Sequence, residues 1–187
     1  MSDKKDRYNL EEIKKLITEQ LCTCDDIQLV ILKGHILIEY LLNHIIDIRA
    51  NEDIEFEKSK FSFSQKLYLY RLLCNNSTEL YNDINLLNKL RNEIAHKLTY
   101  SVNYLTALIS SVERRYDFIT ESKKKYSMVI DKTKIPINIL HDTEVQKKAH
   151  DLFLVIVTLA YICGSLSSQI KQQSIKKTII KDLSKSK

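Results

Sequence analysis

Apolar residues recur at alternating steps of three and four through most of the chain, the spacing of helices that each bury one face. The pattern predicts helices over about 8–22, 26–49, 64–74, 78–98, 101–123 and 142–172. Asp25 and Asp26 precede the second, and Ser62 or Ser64 the third, so short polar acceptors stand where the first backbone N–H groups of a helix lack partners. Within the second helix Gly34 lies among Val30, Ile31, Leu37, Ile38, Leu41 and Leu42. A glycine there costs about 1 kcal/mol relative to alanine, which predicts close approach by another helix. On the opposite side His35, Glu39, Asn43 and Asp47 follow at steps of four and stack in one stripe. It reads either as a solvated face or as the lining of a polar cleft, in which Glu39 is the carboxylate of most consequence.

Two further segments shape the outline. Leu152 to Ile170 carries no charge, but its strongly apolar part, LFLVIVTLAYICGSL, falls short of the roughly 20 residues that cross a bilayer. A helix buried all round at the centre of a bundle is the expectation. Pro136, in KTKIPINIL, disfavours helix and marks the longest connection, with 128–130 and 135–139 as short extended candidates.

Composition narrows the class. With 187 residues, 44% of them hydrophobic, the chain suits one core. Only 2 Gly and 1 Pro leave too little turn chemistry for a sandwich or barrel, and too few glycines for a phosphate-cradling loop. An all-α domain over 1–172 is predicted. The formal charge of +5 comes from the end of the chain: Lys171 to Lys187 holds six Lys and one Asp, so residues 1–170 balance to zero. Residues 173–187 therefore read as a basic, flexible tail, either drawing a polyanion or simply serving as a solubilising end, as charged termini more often do. Cys22 and Cys24 form an isolated CxC and Cys74 and Cys163 stand alone, which spells out neither a disulfide framework nor a zinc knuckle. The opening MSDKKDRYN has no apolar stretch of the kind that directs export. A cytoplasmic protein is expected.

The informative segment is LNKLRNEIAHKL, residues 87–98. On a helix, Leu80, Ile84, Leu87, Ile94 and Leu98 share a stripe, and Arg91 falls in it. A guanidinium is costly to bury alone, so Arg91 needs an acid, an anion or an open cleft; Glu39 is the candidate acid. Asn92 and His96 share the polar side with Asn85 and Asn88. Arg91 and His96 leave an ideal helix about 140° apart. They converge if Arg91 reaches round, if the helix distorts, or if a second copy brings its own pair alongside. The last option would juxtapose two imidazoles, which titrate near neutral pH, with two guanidinium groups matched to phosphate oxygens. Such a cluster suits phosphodiester cleavage in which an RNA 2′-OH attacks its own phosphate.

RNEIAH resembles the Arg-x4-His signature of HEPN domains, including the Asn that follows the Arg in many members. The order of LKGHILIEYLLN, FSFSQKLYLYRLL and LNKLRNEIAH, covering about 26–98, is similar to that superfamily. The resemblance implies an up-and-down antiparallel bundle of five to six helices that pairs as a homodimer with facing motifs. It also implies a metal-independent endoribonuclease without cofactor, as in toxin–antitoxin, abortive infection and antiphage systems, with an antitoxin or defence protein as partner. Arg91 and His96 would be catalytic, Asn92 would shape the motif, and Glu39 is added by position. Lys89, Lys97, Lys176 and Lys177 are candidate RNA contacts. The superfamily also holds non-catalytic modules and relatives of the mannitol operon repressor, whose FSFSQKL-like segment this chain shares. Leu98 stands where toxins paired with nucleotidyltransferase antitoxins carry Tyr. The remaining histidines, His35, His44, His141 and His150, read as structural or surface residues, and His35 with Glu39 supplies too few ligands for a metal.

Overall fold

Two helix starts show how local chemistry sets the architecture. Asp26 Oδ1 accepts the Leu29 N–H at 2.7 Å. Ser62 and Gln65 cap reciprocally: the Ser62 N–H donates to Gln65 Oε1 at 2.8 Å and the Gln65 N–H to Ser62 Oγ at 3.4 Å. Both arrangements satisfy donors that the first turn of a helix leaves without partners. Ser62, of the two serines considered, is the cap.

The computed structural model describes residues 10–49, 61–74, 78–116 and 143–185. Among them are six helices and no strand: α1 (Leu10–Leu21), α2 (Ile27–Arg49), α3 (Phe63–Cys74), α4 (Thr78–Lys97), α5 (Val102–Tyr116) and α6 (Thr143–Lys185). The fold is all-α, as the spacing of apolar residues requires. The suggested extended pieces at 128–130 and 135–139, and the turn at Pro136, lie outside the described residues.

Side-chain pairs fix the helix directions. α4 is antiparallel to α2, with Gln28 Nε2 on the Leu98 carbonyl at 3.4 Å and His35 beside Asn88. It is antiparallel to α5 as well, with Asp83 against Arg115 at one end and Lys89 over Tyr104 towards the other. Alternation gives way between α2 and α3. His35 stacks on Phe63, Glu39 bonds Lys66, and Arg49 meets Cys74, so these two helices run the same way. The chain between Arg49 and Phe63 is long enough to recover the roughly 21 Å of rise separating His35 from Arg49. α6 shares that direction, since Leu159 lies against Gly34 and, further along, Gln169 accepts from Tyr70 Oη at 3.1 Å.

α2 is the central helix and packs along α6 above all. Val30, Ile31, Ile38, Leu41, Leu42 and Ile45 from α2 meet Val155, Leu159, Ile162, Leu166 and Ile170 from α6, all buried. Gly34 suits this crossing: a Cβ there would stand 2.5 Å from Leu159 Cδ1, and that buried side chain would have to shift. The expectation of close approach holds. α6 itself is not buried all round. Leu152, Leu154, Ile156 and Val157 are half-buried and Gly164 is exposed, because no described helix covers that flank. By length and composition alone, α2 and residues His150–Gln173 could each cross a membrane, with 56% and 44% of their most apolar windows buried within the bundle.

α6 also outlasts its expected end at 172 and continues to Lys185. No Gly or Pro occurs between Gln172 and Lys185, so nothing in the backbone chemistry stops the helix there. The basic segment thus begins as a helical extension beyond Ile170, the last residue found buried among those described. Four thiols are free; burial pushes Cys163, in the α2–α6 core, up to about 12.

Candidate functional site

The core face of α4 consists of Leu80, Ile84, Leu87, Leu90 and Ile94, all buried. Arg91 lies half-buried at the margin of that face, towards α2, where its charge reaches His35. Leu98, expected in the same stripe, falls past the end of α4 and is 82% exposed. Its φ of 54° is the left-handed turn that commonly closes a helix, adopted here by leucine where glycine is usual. Its N–H still closes on the Ile94 carbonyl at 3.0 Å. The chain therefore turns sharply two residues beyond His96.

The expected Glu39–Arg91 pair does not form. Glu39 Oε1 instead accepts from Lys66 Nζ at 2.7 Å, since α3 runs alongside α2 and brings Lys66 one level above Phe63. Arg91 Nη1 donates to Asn92 Oδ1 at 3.1 Å, and no carboxylate bonds it among the described residues. Asn92 sits about 100° round α4 from Arg91 and one turn before His96 on the same side. The hydrogen bond therefore ties the guanidinium to the side chain that lies one turn before His96, while its charge still reaches His35 on the α2 side. α4 runs unbroken from Thr78 to Lys97, so helix distortion plays no part.

Below Arg91 lies a buried polar junction of α2, α3 and α4. His35 Nε2 meets Asn88 Oδ1 at 3.2 Å, Asn88 Nδ2 donates to Ser64 Oγ at 3.4 Å, and the Phe63 ring stacks on His35 with centroids 4.0 Å apart. Burial lowers the His35 pKa most; the Asn88 hydrogen bond opposes that shift, Arg91 adds to it and Glu39 opposes it. A neutral imidazole results at neutral pH, which spares Arg91 a like charge beside it. The stripe of His35, Glu39, Asn43 and Asp47 is accordingly no solvated face: His35 is buried and the others half-buried against the neighbouring helices. Asn88, placed with the polar side by spacing, is buried too.

The other candidates scatter. Lys89 lies over the Tyr104 ring at 5.5 Å. Lys97 pairs with Glu93 at 3.5 Å, and the other Glu93 oxygen accepts the Ser101 N–H at 2.7 Å. Lys176 is exposed on the α6 extension, remote in sequence from the α4 cluster, and the side chain of Lys177 lies outside the described residues. No cluster of three or more His, Cys, Asp or Glu occurs among the described residues.

Spacing alone missed His35, Asn88, Ser64 and Lys66 as a unit. The available signal was the four-residue repeat of polar side chains on α2, which could not name its partners because the α2–α3 direction was unknown. Comparison with known proteins finds no matching family model, no similar curated protein and no similar solved structure.

Proposed function

We propose that the protein is a metal-independent endoribonuclease of the HEPN type, a cytoplasmic homodimer serving toxin–antitoxin or antiphage defence. One observation carries the reading. Half-buried Arg91 bonds no carboxylate among the described residues and donates to Asn92, which lies one turn from His96. Glu39 and Lys66 neutralise each other, and His35 with Asn88 closes the junction beneath. A guanidinium held this way is available to an external anion.

Two copies pairing across this face bring two His96 and two Arg91 to one phosphodiester. One imidazole takes the proton from the ribose 2′-OH as O2′ bonds to phosphorus. The other protonates the departing O5′ as the P–O5′ bond breaks, and the arginines stabilise the charge on the phosphorane. The products are a 2′,3′-cyclic phosphate and a 5′-OH, and Lys97 and the α6 lysines hold flanking phosphates loosely.

The test is cleavage of single-stranded RNA in EDTA, with end-group analysis. His96→Ala should lower the rate by roughly 10²–10⁴-fold and Arg91→Ala by roughly 10²–10³-fold, while melting temperatures stay near wild type. Unchanged cleavage in both variants overturns the assignment. A large drop in melting temperature for Arg91→Ala, with no RNA ever cut, would identify a helical interaction module of the mannitol repressor-like kind.

A further inference from the structure

The solvent face of α4 is unusual in what it lacks. Asn82, Asn85, Lys89, Asn92 and His96 follow at steps of three and four, exposed except for half-buried Asn85, with no carboxylate among them. The acids nearby are engaged or withdrawn. Glu93 holds the Ser101 N–H and Lys97, Glu79 lies 3.8 Å from Arg115, and Glu113, the one acid of α5, is half-buried. Beside this strip the first turn of α5 is fixed by Ser101, whose Oγ accepts the Tyr104 N–H at 3.4 Å. Tyr104 is thereby presented with 37% of its surface exposed, and the Lys89 ammonium lies over its ring, 5.5 Å from the centroid, so a stacking base takes the place of that exposed, flexible side chain. An aromatic ring and a cation, adjacent along a strip of Asn82, Asn85, Lys89, Asn92 and His96 that holds no carboxylate, match the two parts of a nucleotide.

We propose that Lys89 and Tyr104 form a nucleotide subsite for single-stranded RNA, in which the base stacks on Tyr104 and the adjoining phosphate pairs with Lys89. Lys89 and His96 are seven residues apart, about 10 Å along α4, so the nucleotide held here neighbours the one that is cut. The placement rests on the ribonuclease reading; the binding does not. Charge alone would also admit an acidic peptide, but the stacking surface favours a base, and only an unpaired base can reach it.

Full-length His96→Ala protein, titrated by fluorescence anisotropy with a fluorescein-labelled oligouridylate, tests the subsite without cleavage. Adding Tyr104→Ala should weaken binding about 5- to 150-fold, while Tyr104→Phe should stay within about twofold. Adding Lys89→Ala should make the slope of log K against log salt shallower by about 0.7. An annealed duplex should bind more weakly than the single strand. The subsite is overturned if the His96→Ala protein does not bind the strand, or if Tyr104→Ala binds as its parent with an unchanged melting temperature. It is equally overturned if polyglutamate displaces the strand as well as unlabelled RNA does. Should Tyr104→Ala fail to fold, an unchanged salt slope for Lys89→Ala overturns the subsite instead, since that side chain is exposed. Cleavage by wild type that His96→Ala abolishes, with normal binding by Tyr104→Ala, would sink the subsite and spare the nuclease. Tyr104-dependent binding without cleavage would do the reverse.

Discussion

Single histidines in this chain divide sharply by environment. His96 is exposed on α4, whereas His44 on α2 is 5% exposed and meets the Tyr40 ring edge-on at 4.0 Å between centroids. Burial lowers its pKa from 6.5 to about 4. The fold therefore favours neutral imidazole, and the unfolded chain takes up the proton first as the solution is acidified. His44 thus contributes nothing adverse above pH 6.5, and stability falls as pH drops from 6.5 towards 4, by a few kcal/mol at most. His35, lowered for the same principal reason, acts in the same direction. Urea unfolding followed across this window should show a falling midpoint, and His44→Leu should flatten that fall relative to wild type. Equal slopes for both proteins would mean that other groups carry the acid sensitivity. None of this was visible in spacing: a histidine at a four-residue step from Tyr40 looks the same in a sequence whether it faces water or a neighbouring helix.

At the scale of helices, α4 and α5 are joined by a buried ion pair. Asp83 is fully buried and bonds Arg115, which also lies 3.8 Å from Glu79. Removing the aspartate takes the fully buried counter-ion from a mostly buried guanidinium. Asp83→Ala should therefore cost about 3 kcal/mol, read as a shift in the denaturation midpoint, and Arg115→Met added to it should recover part of that loss. Additive losses would mean that the pair is not coupled. The helices themselves were legible, because their apolar stripes survive in one dimension: α2, α3 and α4 begin or end within a residue or so of their expected bounds. Partnerships between helices were not. Glu39 was the reasonable acid for Arg91 in any arrangement that brings α2 against α4, but α3 runs parallel to α2 and delivers Lys66 to Glu39 first. Helix direction is not written in the apolar spacing of α2 and α3. Arg91 and His96 could be singled out as residue types at a spacing; the Asn92 contact of Arg91 could not.

For the whole molecule the decisive question is whether one chain suffices. If Arg91 and His96 carry the proposed reaction, one chain supplies only one imidazole to it, and transfer of a proton to one oxygen and from another is best served by two. A twofold pairing across α4 answers this, because a symmetric interface brings the same residues twice to one place. The carboxylate-free strip of Asn82, Asn85, Lys89 and Asn92 would flank the composite centre in both copies, while the helical extension of α6 carries the cationic surplus beyond the core. This arrangement makes a prediction that no arrangement within one chain shares. Arg91→Ala homodimers hold two histidines and no arginine, and His96→Ala homodimers hold two arginines and no histidine. Mixed and allowed to exchange subunits, about half of the dimers become heterodimers with one of each in a single cleft. The mixture should then cleave RNA clearly faster than either variant alone, reaching a fraction of wild-type rate because the second imidazole is still missing. A mixture that cleaves only at the average of its two components, under conditions where subunit exchange is demonstrated by differently labelled copies, would place the whole reaction within one chain and remove the composite site.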